Sequence, residues 1–270
     1  MSKVEVEPGI EIAYSDVGPR GARAVVLLHA WSLAGAAWDR QIQDWSAEFR
    51  VIAIDLRGHG ASSKATTGLG PDTVADDVVA VLDHLEIDAA AIVGWSLGGA
   101  VAVRVSTRSP QRVSQLVLVG PFGPKYVASE DNPAGVPAEE IASVLAFEAV
   151  AGEDFRFGTI AGMPKAPYSD GLRGLLVSLA MQAPSWSAGR LLREFIDHDF
   201  RPDLAAVRVP TLVCQGRADS IAPPERVLQF VSGIKGARVE WFEESGHSPN
   251  LEETPKFNAI VRGYLGDEVN

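Results

Sequence analysis

Five short apolar runs constrain the fold of this chain more than any other feature. Residues 24–28, 51–54, 90–93, 116–119 and 211–214 are continuous rather than alternating, which is how a strand reads when both faces of its sheet are covered. Helical patterns fall between them, at about 37–48, 74–85, 98–108, 225–232 and 255–265. Strands that alternate with helices predict a mostly parallel sheet with helices on both faces. Alternating polar and apolar residues at 4–6 and 10–14, joined at Pro8-Gly9, add two edge strands, and the apolar run 239–242 adds a last one. The chain has 270 residues, enough for one large core.

The alternation breaks between residues 122 and 200. A Pro- and Gly-rich loop at 120–137 leads into helical segments near 139–151, 172–182 and 187–198, with no clear strand among them. An insertion on the side where strands end is expected to lie over the site as a lid, because open α/β sheets bind ligands outside the carboxyl ends of their strands. The expected division is a core of residues 1–121 and 201–270, with a helical cap of 122–200.

One strand–helix junction carries chemistry. Ile92-Val93-Gly94-Trp95-Ser96-Leu97-Gly98-Gly99 puts Gly-x-Ser-x-Gly between an apolar run and a small-residue helix, the setting of a nucleophile elbow. The glycines let the backbone approach itself closely enough to expose Ser96 on a strained turn. The Leu97 N–H then opens a helix, where it can meet a developing oxyanion.

A serine hydroxyl needs a base, and the base needs an orienting carboxylate. Of five histidines, His247 lies in the loop Glu244-Ser245-Gly246-His247-Ser248-Pro249, between an apolar run and the last helix. Asp219 ends Gln215-Gly216-Arg217-Ala218-Asp219, after the strand that closes at Cys214; its other reading is the cap of the following helix. The alternative acid position, after residue 119, reads Gly120-Pro121-Phe122-Gly123 and offers no carboxylate. His29 and His59 read as residues that tie their own loops. His84 and His198 lie near helix ends, without the neighbour spacing of metal ligands, so neither a metal nor another cofactor is expected.

The order Ser96, Asp219, His247 on this alternating frame resembles the α/β-hydrolase superfamily over essentially the whole chain. The resemblance implies an eight-stranded, mostly parallel sheet flanked by helices, with a helical lid after the sixth strand. Leu28-His29-Ala30-Trp31 stands where the family usually has His-Gly and an aromatic residue, with Ala30 replacing the glycine. By that resemblance the Trp31 N–H is the second oxyanion donor beside Leu97. Asp55-Leu56-Arg57-Gly58-His59-Gly60 is similar to the family's loop after the fourth strand.

Within that resemblance a serine nucleophile implies acyl transfer on esters, thioesters or lactones, and the aromatic candidates named below, where two or three face the serine, make the substrate apolar and small to medium. The stretch from Asp199-Phe200-Arg201-Pro202 to Val209-Pro210-Thr211 is similar to the cofactor-free haloperoxidase and perhydrolase group. C–C bond hydrolases of the same frame, and small-molecule receptors that hydrolyse slowly, are the alternatives. Trp31, Trp95, Phe122, Phe147, Met163 and Trp186 are the candidate pocket residues, although aromatic residues often serve only as core.

Charge narrows the partners. A net charge of −11 disfavours nucleic acid and anionic membrane surfaces. Between residues 123 and 200, six Lys or Arg face eleven Asp or Glu. That balance argues against docking of an acidic carrier protein and for a free small molecule. Cys214, the only cysteine, cannot form an intrachain disulfide and reads as a buried hydrophobe. The first seven residues lack a signal-peptide core, and no apolar run reaches membrane-spanning length, so the cytoplasm is the expected compartment. The sequence sets no oligomeric state.

Overall fold

The computed structural model describes residues 1–133 and 135–267. Eight strands form one sheet: β1 (Ser2–Glu7), β2 (Ile10–Val17), β3 (Ala24–Leu28), β4 (Arg50–Ile54), β5 (Ala90–Trp95), β6 (Val113–Val119), β7 (Thr211–Gly216) and β8 (Arg238–Phe242). Their spatial order is β1-β2-β4-β3-β5-β6-β7-β8. β2 runs antiparallel to both β1 and β4, and every other pairing is parallel. The expected mostly parallel, eight-stranded sheet is the one observed.

The continuous apolar runs have a direct cause. Successive strand side chains point to opposite faces, so Val26 and Leu28 of β3 join one core with Ile92 and Leu118. Val25 and Leu27 join the other, with Val93, Val117 and Cys214. All are fully buried. Each such side chain contributes about 1.5–3 kcal/mol of burial, more than the roughly 1–2 kcal/mol of backbone order it costs.

Before β6 the chain forms α1 (Asp39–Trp45), α2 (Pro71–His84) and α3 (Leu97–Arg108), which pack in the sheet layers. Between β6 and β7 lie α4 (Ala138–Val150), α5 (Gly152–Gly162), α6 (Asp170–Ala180), α7 (Ser185–Asp197) and α8 (Arg201–Ala206). α9 (Pro224–Gly233), α10 (Pro249–Glu252) and α11 (Thr254–Gly266) complete the chain. α5 was not expected from the sequence: its glycines at 152, 158 and 162 weaken intrinsic helicity, and its packing against α4 and α6 holds it instead. α1 is shorter than the expected 37–48, because a 3₁₀ turn (Gly35–Trp38) precedes it.

The inserted helices are tied to the sheet layers on two sides. On one, Ser187 Oγ donates to Ala65 O at 2.9 Å and Arg190 donates to Thr66 O at 2.9 Å. On the other, His247 N donates to Met163 O at 2.7 Å and Lys165 N donates to Glu252 Oε2 at 2.7 Å. Among the described residues no helix is long and apolar enough to cross a membrane.

Candidate active site

β5 ends at Trp95 and α3 begins at Leu97, leaving Ser96 on the turn with φ 54° and ψ −113°. The glycines on either side are there for space. A Cβ on Gly94 would lie 2.3 Å from Gly98 O, and one on Gly98 would lie 2.4 Å from Leu28 O. Backbone hydrogen bonds hold the turn: Ser96 N donates to Val119 O, while Gly99 N, Ala100 N and Phe122 N donate to Ser96 O.

His247 and Asp219 come to the same place from the loops after β8 and β7. His247 Nδ1 donates to Asp219 Oδ2 at 2.9 Å, and both side chains are almost fully buried. A carboxylate only accepts, so the hydrogen resides on Nδ1 and His247 Nε2 is left as an acceptor. Asp219 is held as firmly as it holds. Its Oδ1 accepts from Ile221 N at 2.9 Å and Ala222 N at 2.8 Å, and Gln215 Nε2 donates to Oδ2 at 3.1 Å.

Ser96 and His247 line one cavity of about 390 Å³. Its lining also includes Trp31, Phe122 and Met163, three of the expected pocket residues. The other three lie elsewhere. Trp95 precedes the turn, points into the opposite core against Trp38, and donates from Nε1 to His247 O at 2.8 Å. Phe147 lies one turn beyond Val144, the last lining residue of α4, and stays half exposed, edge-on to Phe155. Trp186 is also half exposed, away from the cavity. Tyr126, Ile141, Phe155, Leu192 and Ile221 line the cavity without a sequence signal that marks them.

The two expected oxyanion donors are unengaged. Leu97 opens α3, so its N–H has no acceptor inside the helix. Among the described residues neither it nor the Trp31 N–H meets another acceptor. Trp31 is fixed by its ring, which donates from Nε1 to Ala188 O at 3.0 Å and packs on Phe155 at 5.5 Å. Ala30 is tolerated in place of glycine because the left-handed residue of this loop is Ser32, with φ 62°.

His29 and His59 tie loops, as expected. Leu56 N donates to His29 Nε2 at 3.0 Å, so His29 Nδ1 carries the hydrogen and donates to Ala30 O at 2.8 Å. Burial lowers the His29 imidazole, partly opposed by Asp55. Burial, with His29 beside it, pushes His59 down to about 3. Asp55 braces the same region, accepting from Gly35 N and Ala61 N at 2.7 Å each.

Two supports have no counterpart in the sequence pattern. Glu252 accepts from Gly246 N, Ser248 N and Ser248 Oγ, clasping the loop on both sides of His247. A glutamate six residues from a loop glycine gives no motif that would reveal this. Gly120, at φ +46°, packs directly on the His247–Asp219 pair: a Cβ there would lie 3.0 Å from His247 Nδ1 and 3.1 Å from Asp219 Oδ2. Gly120→Ala is therefore expected to push the pair out of line and lower kcat about 100-fold, the scale of an ångström's misplacement at a reacting centre. Steady-state kinetics beside a melting curve checks this; a loss under threefold would mean that the pair relaxes without cost.

Among the described residues no group of three or more His, Cys, Asp or Glu side chains is placed to hold a metal ion.

Comparison with known proteins agrees with this architecture. Residues 23–254 match the family model for the alpha/beta hydrolase fold. A non-heme chloroperoxidase of Streptomyces lividans is 35% identical, with 83% of this chain and 84% of that one aligned. A bifunctional esterase/perhydrolase of Acinetobacter calcoaceticus is 32% identical over 88% of each chain. Among solved structures, an esterase from Exiguobacterium antarcticum superposes with a TM-score of 0.93 at 26% identity, covering 98% of this chain and 99% of that one. By sheet order, by sequence and by superposition, the chain belongs to the α/β-hydrolase fold family.

Proposed function

We propose that this protein is a serine hydrolase that cleaves small to medium carboxylic esters or lactones through an acyl-enzyme on Ser96. The observation that carries the reading is one cavity bordered by both Ser96 and His247, with His247 Nδ1 bonded to the buried Asp219. In this reading Ser96 Oγ attacks the carbonyl carbon while His247 Nε2 takes its proton. Asp219 stabilises the resulting imidazolium. The oxyanion accepts from the Trp31 and Leu97 N–H groups, and a donor of this kind is worth about 3–4 kcal/mol in the transition state. As the tetrahedral intermediate collapses, His247 returns the proton to the departing alkoxide. Water, deprotonated by the same imidazole, then releases the acid and restores Ser96. Helices α4 to α7 act as the cap (residues 122–200), supplying an apolar wall and excluding bulk water.

A second reading rests on the perhydrolase and chloroperoxidases named among the relatives. Hydrogen peroxide would attack the acyl-enzyme in place of water. One peroxide oxygen bonds the acyl carbon, Ser96 Oγ leaves and regains a proton through His247, and a peracid departs.

A cavity of about 390 Å³ is at the small end of the range for ligand pockets. Initial rates on 4-nitrophenyl esters should therefore peak at short to medium acyl chains and fall for long ones. A protein that cleaves none of them faster than Ser96→Ala does would not be a general esterase.

A further inference from the structure

Among the described residues the cavity lining contains a single arginine or lysine, Arg226, in the first turn of α9. Buried or half-buried arginines elsewhere are engaged: Arg50 with Asp16, Arg57 with Asp77 and Arg104 with Asp203, while Arg23 donates to the main-chain carbonyls of Leu265 and Asp267. Arg226 is half-buried too, yet among the described residues its guanidinium has no carboxylate or hydrogen-bond partner. It is nevertheless held in place. Its guanidinium lies 5.2 Å over the Tyr126 ring, which stacks on Phe122 at 4.7 Å with the planes 8° apart. The stack leaves the N–H edge of the guanidinium available and limits the rotamers it loses on binding.

The position of Arg226 is also fixed relative to the reacting groups. Asp219 Oδ1 binds Ile221 N and Ala222 N, and Arg226 N donates to Pro223 O. One short braced segment therefore carries both the residue that orients His247 and the free guanidinium. Phe122, in the same stack, donates its N–H to Ser96 O.

We propose that Arg226 is an anion subsite of this cavity, so that the preferred substrates carry a carboxylate or similar acidic group away from the scissile bond. The proposal rests on the ester hydrolase reading above and narrows its substrate class. A planar fork of N–H donors suits a carboxylate in two-point contact. The other unpaired charge on the lining, Glu140, is exposed, so water screens it more than it screens the stacked guanidinium. The net charge of −11 repels anions only at long range and is screened beyond about 8 Å in physiological salt. A neutral, purely apolar substrate would leave the Arg226 edge without a partner in the filled cavity.

The test compares matched esters. One pair ends its acyl chain in a carboxylate or in a methyl group, and a second pair carries the same difference on the alcohol chain. In wild type, one of the two acid-to-neutral ratios of kcat/KM should exceed unity and should drop about 10- to 100-fold in Arg226→Gln, the scale of a charge-assisted hydrogen bond. Ratios unchanged by the substitution overturn the subsite, whether both esters of a pair fall together or neither does. Binding is measured separately by calorimetry, on Ser96→Ala and on Ser96→Ala with Arg226→Gln, using the same intact esters. If wild type turns over no ester but the acidic one still binds Ser96→Ala more tightly through Arg226, the hydrolase reading fails and the subsite stands. Equal binding of acid and neutral ester by Ser96→Ala overturns the subsite, whatever is turned over.

Discussion

Ser96→Ala is expected to lower kcat by up to about 10⁶-fold, the loss found when a serine nucleophile that works as a unit with its base is deleted. The fold should survive, since the Ser96 side chain is not what holds the turn; backbone hydrogen bonds to Val119 and from Gly99 and Phe122 do that. Alanine keeps the unfavourable φ of 54°, so its melting temperature should stay close to wild type. Ser96→Gly separates the two properties. Glycine adopts this conformation freely and relieves about 1–3 kcal/mol of local strain, against about 0.5–1 kcal/mol of added backbone entropy cost. The glycine variant should thus be as inactive as alanine but at least as stable, by up to a few degrees. Substrate turnover and thermal unfolding, measured on all three proteins, decide the matter. Turnover above a few per cent of wild type in active-site-clean Ser96→Ala would remove Ser96 from the chemistry. A glycine variant that melts well below wild type would show that the turn is not strained.

That strain is also why the elbow is legible in the amino-acid sequence. A serine at this φ and ψ needs space where β5 turns into α3, and only Gly94 and Gly98 leave it; Cβ atoms there would collide with main-chain atoms. Backbone constraints of this kind leave a residue-type signature at fixed spacing. The sheet leaves a signature too, because strands buried on both faces lose the alternation that a half-exposed strand keeps. The loop positions of His247 and Asp219 follow from where β7 and β8 end.

The cavity wall is not legible in the same way. Trp31, Phe122 and Met163 line it, but Trp95 belongs to the opposite core through strand alternation, and Phe147 and Trp186 face outward. Which face of an inserted helix turns inward depends on tertiary packing, and α4 and α5 carry little amphipathic signal to predict it. Arg226 is invisible for a related reason. An arginine in the first turn of an amphipathic helix reads as solvated surface, and only the cavity on one side and Tyr126 on the other make it more than that. Glu252 acts through main-chain N–H groups, which exist at nearly every residue and mark nothing in a sequence.

Asp219→Asn is expected to cost about 10⁴-fold in kcat, as tautomer reversal does in other triads. The hydrogen bonds of this site say why. Asp219 accepts four: from Ile221 N and Ala222 N on Oδ1, and from His247 Nδ1 and Gln215 Nε2 on Oδ2. An asparagine keeps only one acceptor oxygen. Turned toward Ile221 and Ala222, it satisfies two fixed main-chain donors and presents its NH₂ to His247 Nδ1. The imidazole must then carry its hydrogen on Nε2, where it can no longer take the Ser96 proton. Turned the other way, the oxygen keeps His247 in the useful tautomer but sets an NH₂ against two buried main-chain donors, at about 1–3 kcal/mol for each group left unsatisfied. The first arrangement should win, so the variant should fold, lose a modest amount of stability to the clash with Gln215 Nε2, and turn over very slowly. Kinetics and thermal unfolding of Asp219→Asn beside Asp219→Ala separate the effects, because alanine leaves the tautomer free while removing the brace. If asparagine costs less than tenfold, Asp219 serves only to cap the turn into α9, and the acid that orients His247 must be sought elsewhere.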